Sequence, residues 1–117
     1  MKTEVVMGTA FPNDADGDAL RSLVQTGSDL SKSMDIDFAV AVPDQASGFS
    51  FALAARNLGF VTSVEQDTET GEWTCYCTRT MVPSYEHIVS MQRSLEEVGR
   101  PYNAVPDGWG TFGNAPE

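Results

Sequence analysis

The sequence predicts an α+β sandwich, in which helices cover one face of a small, mostly antiparallel sheet. Two observations lead to this prediction. Apolar residues recur at helical spacing in three segments and alternate with polar residues in others, with glycine or proline at most boundaries. The segments follow the order helix, strand, helix, strand, strand, helix, strand. With 117 residues, the whole chain (residues 1–117) is predicted to form a single domain with a modest core.

The first predicted helix follows residues 1–13, which we expect to form a loosely ordered lead-in. Carboxylates mark the start of this helix: Asp14, Asp16 and Asp18. Apolar residues follow at helical spacing: Ala19, Leu20, Leu23 and Val24. Gly27 ends the helix. Alternating apolar and polar residues then predict a strand over residues 34–42, which Pro43 ends.

A second helix and a hairpin are predicted next. Asp44 or Ser47 caps the helix, and Gly59 ends it. Its expected buried stripe is Phe51, Ala52, Ala55 and Leu58. Strands are predicted over residues 60–66 and 72–82, joined by a polar loop. One face of the second of these strands carries Trp73, Cys75, Cys77 and Met81.

The third helix begins after its predicted N-cap, Ser84, and ends at Gly99. Its apolar stripe is Ile88, Met91, Leu95 and Val98. A short final strand is predicted around residues 102–105. Two strand–helix–strand units around one hairpin define a ferredoxin-like sandwich with four strands, to which the first helix is an addition.

Charge narrows the possible partners. Lys and Arg number 7 and Asp and Glu number 17, which gives a net charge of −10. Nucleic-acid binding depends on Lys and Arg contacts to phosphates, and anionic membranes repel acidic proteins, so neither partner is expected. The charge favours a basic protein partner, or it serves solubility alone. The chain lacks a convincing signal peptide and an apolar run of about 20 residues, so a cytoplasmic protein is expected.

The residues favour a non-catalytic protein without metal or cofactor. The acids at the start of the first helix lack the glycine and glutamate spacing of a calcium loop. Cys75 and Cys77, with the single histidine His87, do not supply the two spaced ligand pairs of a zinc site. No nucleophile motif or phosphate-binding glycine loop is present.

Two groups of residues are candidates for contact with a protein partner. The first lies in a run, residues 107–112, where glycines flank a tryptophan: Asp107, Gly108, Trp109 and Gly110. Closure of the core by Trp109 and contact of Trp109 with a partner are both open at this stage. The second group is the hairpin acids, which form an acidic docking patch or simply a solvated loop: Glu65, Asp67, Glu69 and Glu72.

RNA-recognition domains share the predicted fold and stack bases on aromatic residues of the central strands. Here the corresponding strand offers Trp73 and Tyr76 with only one cation, Arg79. Asp35 and Asp37 lie on the first strand of an acidic chain. RNA binding is rejected on these grounds, since the shared fold alone does not decide function.

Three short runs occur in the order of the predicted elements: Gly-Ser-Asp at residues 27–29, Ala-Arg-Asn-Leu-Gly-Phe at 55–60 and Asp-Gly-Trp-Gly-Thr at 107–111. Over residues 14–114 the chain resembles the regulator of ribonuclease activity B family, the protein inhibitors of ribonuclease E. The resemblance implies a ferredoxin-like α+β fold, a cytoplasmic bacterial protein without catalytic activity, and binding to ribonuclease E that lowers RNA cleavage. An alternative hypothesis is an immunity or antitoxin-like protein that neutralises a basic nuclease.

Overall fold

The computed structural model describes residues 11–115, and the statements below concern that part of the chain. Residues 1–10 of the predicted lead-in lie outside it. The elements are α1 (Ala15–Gln25), β1 (Met34–Val42), α2 (Gln45–Arg56), β2 (Val61–Gln66), β3 (Trp73–Met81), α3 (Tyr85–Gly99) and β4 (Val105–Gly110). A 3₁₀ turn, Arg100–Tyr102, joins α3 to β4.

The four strands form one sheet in the order β2-β3-β1-β4, and neighbouring strands are antiparallel. This is the predicted ferredoxin-like arrangement, with α1 as the additional helix. β1 and β3 are central, and β2 and β4 form the two edges. α2 lies over β2 and β3, whereas α3 contacts β4 and α1 packs against α3. All three helices therefore lie on one face of the sheet and leave the other face open.

Each helix begins at a side chain that accepts a hydrogen bond from the backbone of the first turn. Asp14 accepts from the N–H of Gly17 at 2.8 Å, and Ser84 accepts from the N–H of His87 at 3.1 Å. Asp44 accepts from the N–H of Ser47 at 2.7 Å. Of the two predicted caps for α2, Asp44 is therefore the one that the structure uses.

The core forms between the helices and the inner face of the sheet. β1 alternates as predicted: the aspartates and alanines at positions 35, 37, 39 and 41 face away from the core, and five apolar side chains are buried: Met34, Ile36, Phe38, Val40 and Val42. β3 adds Cys75, Cys77 and Met81, while Phe51 and Ala55 of α2 and Ile88 and Leu95 of α3 close the core from the helix side. The buried stripe predicted for α2 is wrong at Leu58, whose side chain is 37% exposed because α2 ends before it, at Arg56.

The last strand was predicted in the wrong place. Residues 100–102 form a 3₁₀ turn, because Pro101 lies in its first positions, where a missing backbone N–H is tolerated. Asn103 then takes a left-handed conformation, with φ of 56°, and reverses the chain. β4 begins only at Val105 and contains residues 107–110, the tryptophan motif in which two glycines flank Trp109. This motif was expected to follow the strand. β2 and β3 begin one residue later than predicted, and β3 also ends one residue earlier.

Candidate functional site

The tryptophan motif forms a bulged edge strand. Trp109 pairs with Phe38, and Pro106 pairs with Val40, so the register shifts between the two pairs. Asp107 and Gly108 consequently lie together opposite a single residue of β1, which is the arrangement of a β-bulge. Gly108 has φ of +108°, a conformation that residues with a side chain rarely adopt. This glycine is therefore required by the path of the strand.

The ring of Trp109 lies on the helix side of the sheet. It is partly buried and packs against the core. Its Nε1–H donates to Oδ1 of Asp16 at 2.8 Å, and Gln92 of α3 donates to Oδ2 of the same carboxylate at 3.1 Å. Trp109 thus joins β4 to α1 and α3, as core closure requires. Direct contact of Trp109 with a partner stays a prediction.

A second hydrogen bond joins α1 to α3. The hydroxyl of Tyr85 donates to Oδ2 of Asp14 at 2.6 Å. This bond, followed by the bond from the Gly17 N–H, lowers the pKa of Asp14 below its ordinary value. The same bond raises the pKa of Tyr85. The acids at the start of α1 therefore cap and anchor this helix, in agreement with the sequence-based interpretation.

The open face of the sheet, defined by the outward positions of the four strands, is acidic. Its carboxylates are Asp35, Asp37, Glu65 and Asp107. None of its strand positions within the described residues carries Lys or Arg. Arg79, the cation of β3, points to the helix side, where it donates to the carbonyl of Leu58 and lies over the ring of Phe60, 5.6 Å from its centre. The open face is therefore suited to a positively charged partner.

A depression of about 410 Å³ lies on the open face between β1, β3 and β4. Its lining is Asp37, Ala39, Tyr76, Asp107, Gly108, Trp109, Gly110, Thr111 and Phe112. Phe112 is fully exposed and Tyr76 is 38% exposed. Sequence reasoning did not select Phe112 as a site residue, although its position after the glycine motif was visible. Trp73, considered there as a stacking residue, lies on the helix side and packs against the core.

The segment that carries Phe112 is held at both ends. Thr111 donates from Oγ1 to the carbonyl of Asp35 at 2.6 Å. Asn114 accepts from the N–H of Asp29 at 2.7 Å and donates from Nδ2 to the carbonyl of Asp29 at 2.9 Å. These bonds fasten residues 111–114 to β1 and to the loop before it. The exposed ring is therefore presented from an anchored segment.

The hairpin acids lie along the opposite edge of the sheet from β4. Asp67 shapes the turn, because its Oδ1 accepts from the N–H groups of Thr70 at 3.1 Å and Glu69 at 2.7 Å. These bonds lower the pKa of Asp67. Glu65 points to the open face, whereas Glu69 and Glu72 belong to the exposed end of the hairpin. The two predicted groups of contact residues are thus not brought together as one cluster.

Cys75 and Cys77 are free, buried thiols with their Sγ atoms 3.9 Å apart. The hydrogen bond between them, together with burial, raises the pKa of Cys77. His87 lies at the start of α3, with Nδ1 3.3 Å from the carbonyl oxygen of Val82. Within residues 11–115, no three His, Cys, Asp or Glu side chains are grouped as a metal site requires.

Nor does any helix in the described part of the chain have the length and apolar character needed to cross a membrane.

The fold and the exposed acidic face define a small α+β protein whose open sheet is suited to contact with another macromolecule. Residues 13–111 match the family model described as Regulator of ribonuclease activity B, and the chain therefore belongs to that family. This is a family of regulators rather than catalysts, and regulation of a ribonuclease implies a protein partner. The resemblance deduced from the short motifs is confirmed. A search of curated proteins finds no match.

Proposed function

We propose that this chain binds ribonuclease E in the cytoplasm of a bacterium and lowers its cleavage of RNA, without binding RNA itself. The family match over residues 13–111 is the observation on which the proposal rests. Charge supports it. The net charge is −10, and a ribonuclease must hold RNA phosphates with basic residues. An acidic protein that occupies such a basic segment competes directly with RNA.

The first experiment compares retention of full-length ribonuclease E and of its catalytic half alone on the immobilised protein. We expect the full-length enzyme to be retained and the catalytic half to be lost, because basic disordered segments outside a catalytic domain are suited to an acidic partner. Retention should weaken with salt, since the screening length falls from about 10 Å at 0.1 M to about 3 Å at 1 M. Failure to retain either form at low salt would refute the proposal.

The second experiment measures RNA cleavage by ribonuclease E with increasing amounts of the protein. An unrelated basic nuclease serves as the control. We expect inhibition of ribonuclease E only. Equal inhibition of both nucleases would instead favour the alternative hypothesis, a general neutraliser of basic nucleases, which relies on charge rather than on a specific partner.

A further inference from the structure

We infer that the depression on the open face is a docking site for an arginine side chain of an extended, basic protein segment. The inference rests on the proposed function in one respect: the basic segment is taken to be part of the ribonuclease that this chain regulates. The chemistry of the site is argued from its own residues: a floor without bulky side chains, two carboxylates, and two exposed aromatic rings.

The floor exists because the strands carry small residues where they meet. Ala39 of β1 lies between Tyr76 of β3 on one side and the bulge of β4 on the other. Gly108 and Gly110 have no neighbouring atom within 4 Å of the position that a Cβ would occupy. The resulting volume of about 410 Å³ is within the range of small-ligand pockets and accommodates one long side chain with adjacent backbone.

Two carboxylates supply the charge. Asp37 is partly buried, and the hydroxyl of Thr78 donates to its Oδ1, which orients the carboxylate on the sheet. Asp107 lies exposed at the bulge on the other side of the depression. A guanidinium has five N–H donors in a planar fork, so it can bind one carboxylate with two bonds and still reach a second. A lysine ammonium matches this arrangement less well.

Two rings complete the site. Tyr76 lies diagonally across from Asp37, at the spacing of about 7–8 Å that long side chains bridge. Phe112 is fully exposed, yet the hydrogen bonds of Thr111 and Asn114 hold its segment in place. A cation held near an aromatic face is attracted by the negative charge of the ring's π-system. An anchored, exposed ring beside acidic groups is therefore explained by a cationic partner.

Other occupants fit this face less well. RNA would bring phosphates against a surface on which the charged strand residues are all acidic. A second copy of the chain in a symmetric dimer would place the same acidic face on itself. A basic segment is the occupant that charge complementarity selects.

The inference is tested by titrating the isotope-labelled protein with a disordered peptide of alternating Arg and Ser, followed by NMR. Peptides with lysine or with neutral citrulline at the arginine positions are the controls. We expect the largest amide shifts around Ala39, Tyr76 and Gly108. Binding should be several-fold weaker for the lysine peptide and lost for the citrulline peptide. Shifts concentrated on α2 and α3 would overturn the inference, and so would equal binding of the arginine and citrulline peptides.

Variants separate a local contact from a general charge effect. Asp37→Asn keeps an acceptor for Thr78 and should weaken binding of the arginine peptide about tenfold, the loss expected for a charged hydrogen bond. Glu96→Gln removes the same charge from an exposed position on α3 and should change binding less than about twofold, because salt screens distant charges. Phe112→Ala should weaken binding, whereas Phe49→Ala, at a 53% exposed ring on α2, should not.

The same variants in the ribonuclease E retention assay distinguish the two proposals. Retention of ribonuclease E that is unaffected by Asp37→Asn and Phe112→Ala refutes the docking site and leaves the proposed function intact. If the unsubstituted protein retains no ribonuclease E but still binds the arginine peptide specifically, the proposed function is refuted and the docking site is supported. If Asp37→Asn and Glu96→Gln weaken the retention of ribonuclease E equally, the docking site is refuted, because retention would then depend only on the total charge of the protein.

Discussion

Replacing Trp109 with alanine is expected to lower the free energy of unfolding by about 3 kcal/mol. Removal of a fully buried aromatic ring costs about 3–5 kcal/mol, and Trp109 is only partly buried, so loss of packing accounts for about 2 kcal/mol. The indole N–H also donates to the Asp16 carboxylate at 2.8 Å, and because this bond is only partly buried, losing it adds about 1 kcal/mol.

The expected loss is measurable by urea unfolding or by a thermal melt. For a domain of 117 residues, 1 kcal/mol corresponds to about 4 °C, so Trp109→Ala should lower Tm by about 12 °C. Trp109→Phe keeps most of the packing and should lose only about 1 kcal/mol. Combined with Asp16→Ala in a double-mutant cycle, it should reveal a coupling energy of about 1 kcal/mol.

A matched control is Phe112→Ala, because that ring is fully exposed and should contribute less than about 0.5 kcal/mol. The reasoning is refuted if Trp109→Ala costs no more than this control. Strictly additive effects of Trp109→Phe and Asp16→Ala would show that the indole–carboxylate bond does not stabilise the junction of β4 with α1.

Three further predictions concern the backbone, pH and the thiols. Gly108→Ala should destabilise the fold by about 1–2 kcal/mol because of its φ of +108°, whereas Gly110→Ala should be nearly neutral in the same urea titration. The pKa of Asp14 is lowered from its ordinary value of 3.8, so the Asp14 carboxylate stabilises the fold at pH values above 3.8, and this stabilisation is lost as the pH falls through the lowered pKa. Tyr85→Phe removes the main cause of the lowered pKa, so Tm should then depend less on pH in this acid range. The two buried thiols of β3 should react with a thiol reagent only after denaturation, and rapid reaction in the folded state would contradict their burial.

The central elements are predictable from the sequence because their signals are local. Strict alternation gives β1 the bounds that the structure shows, since every second side chain must face the same core. Ser84 likewise marks the start of α3 through a local hydrogen bond from the N–H of His87. Gly99 is the last residue of α3, but its conformation is helical, and the glycine is needed there because a Cβ would lie 2.8 Å from the carbonyl oxygen of Ala104. The overall arrangement then follows from the order of the elements.

β4 and the depression are less predictable because they depend on contacts distant in sequence. A segment with two glycines and a proline is typical of a turn, yet pairing with β1 makes it a bulged strand. Asp37 and Asp107 come to the same depression only through this pairing. The presentation of Phe112 likewise depends on the bonds from Asn114 to the loop before β1.

The place of β1 in the sheet has a consequence for how the chain folds during synthesis. Among the strands of residues 11–115, β1 is the first to be synthesised, but one of its two neighbours, β4, is the last. Until β4 leaves the ribosome, one edge of β1 has unpaired backbone N–H and C=O groups, which another chain can pair with. Folding can be completed only after synthesis of β4, so stalled or shortened chains that lack it are expected to aggregate.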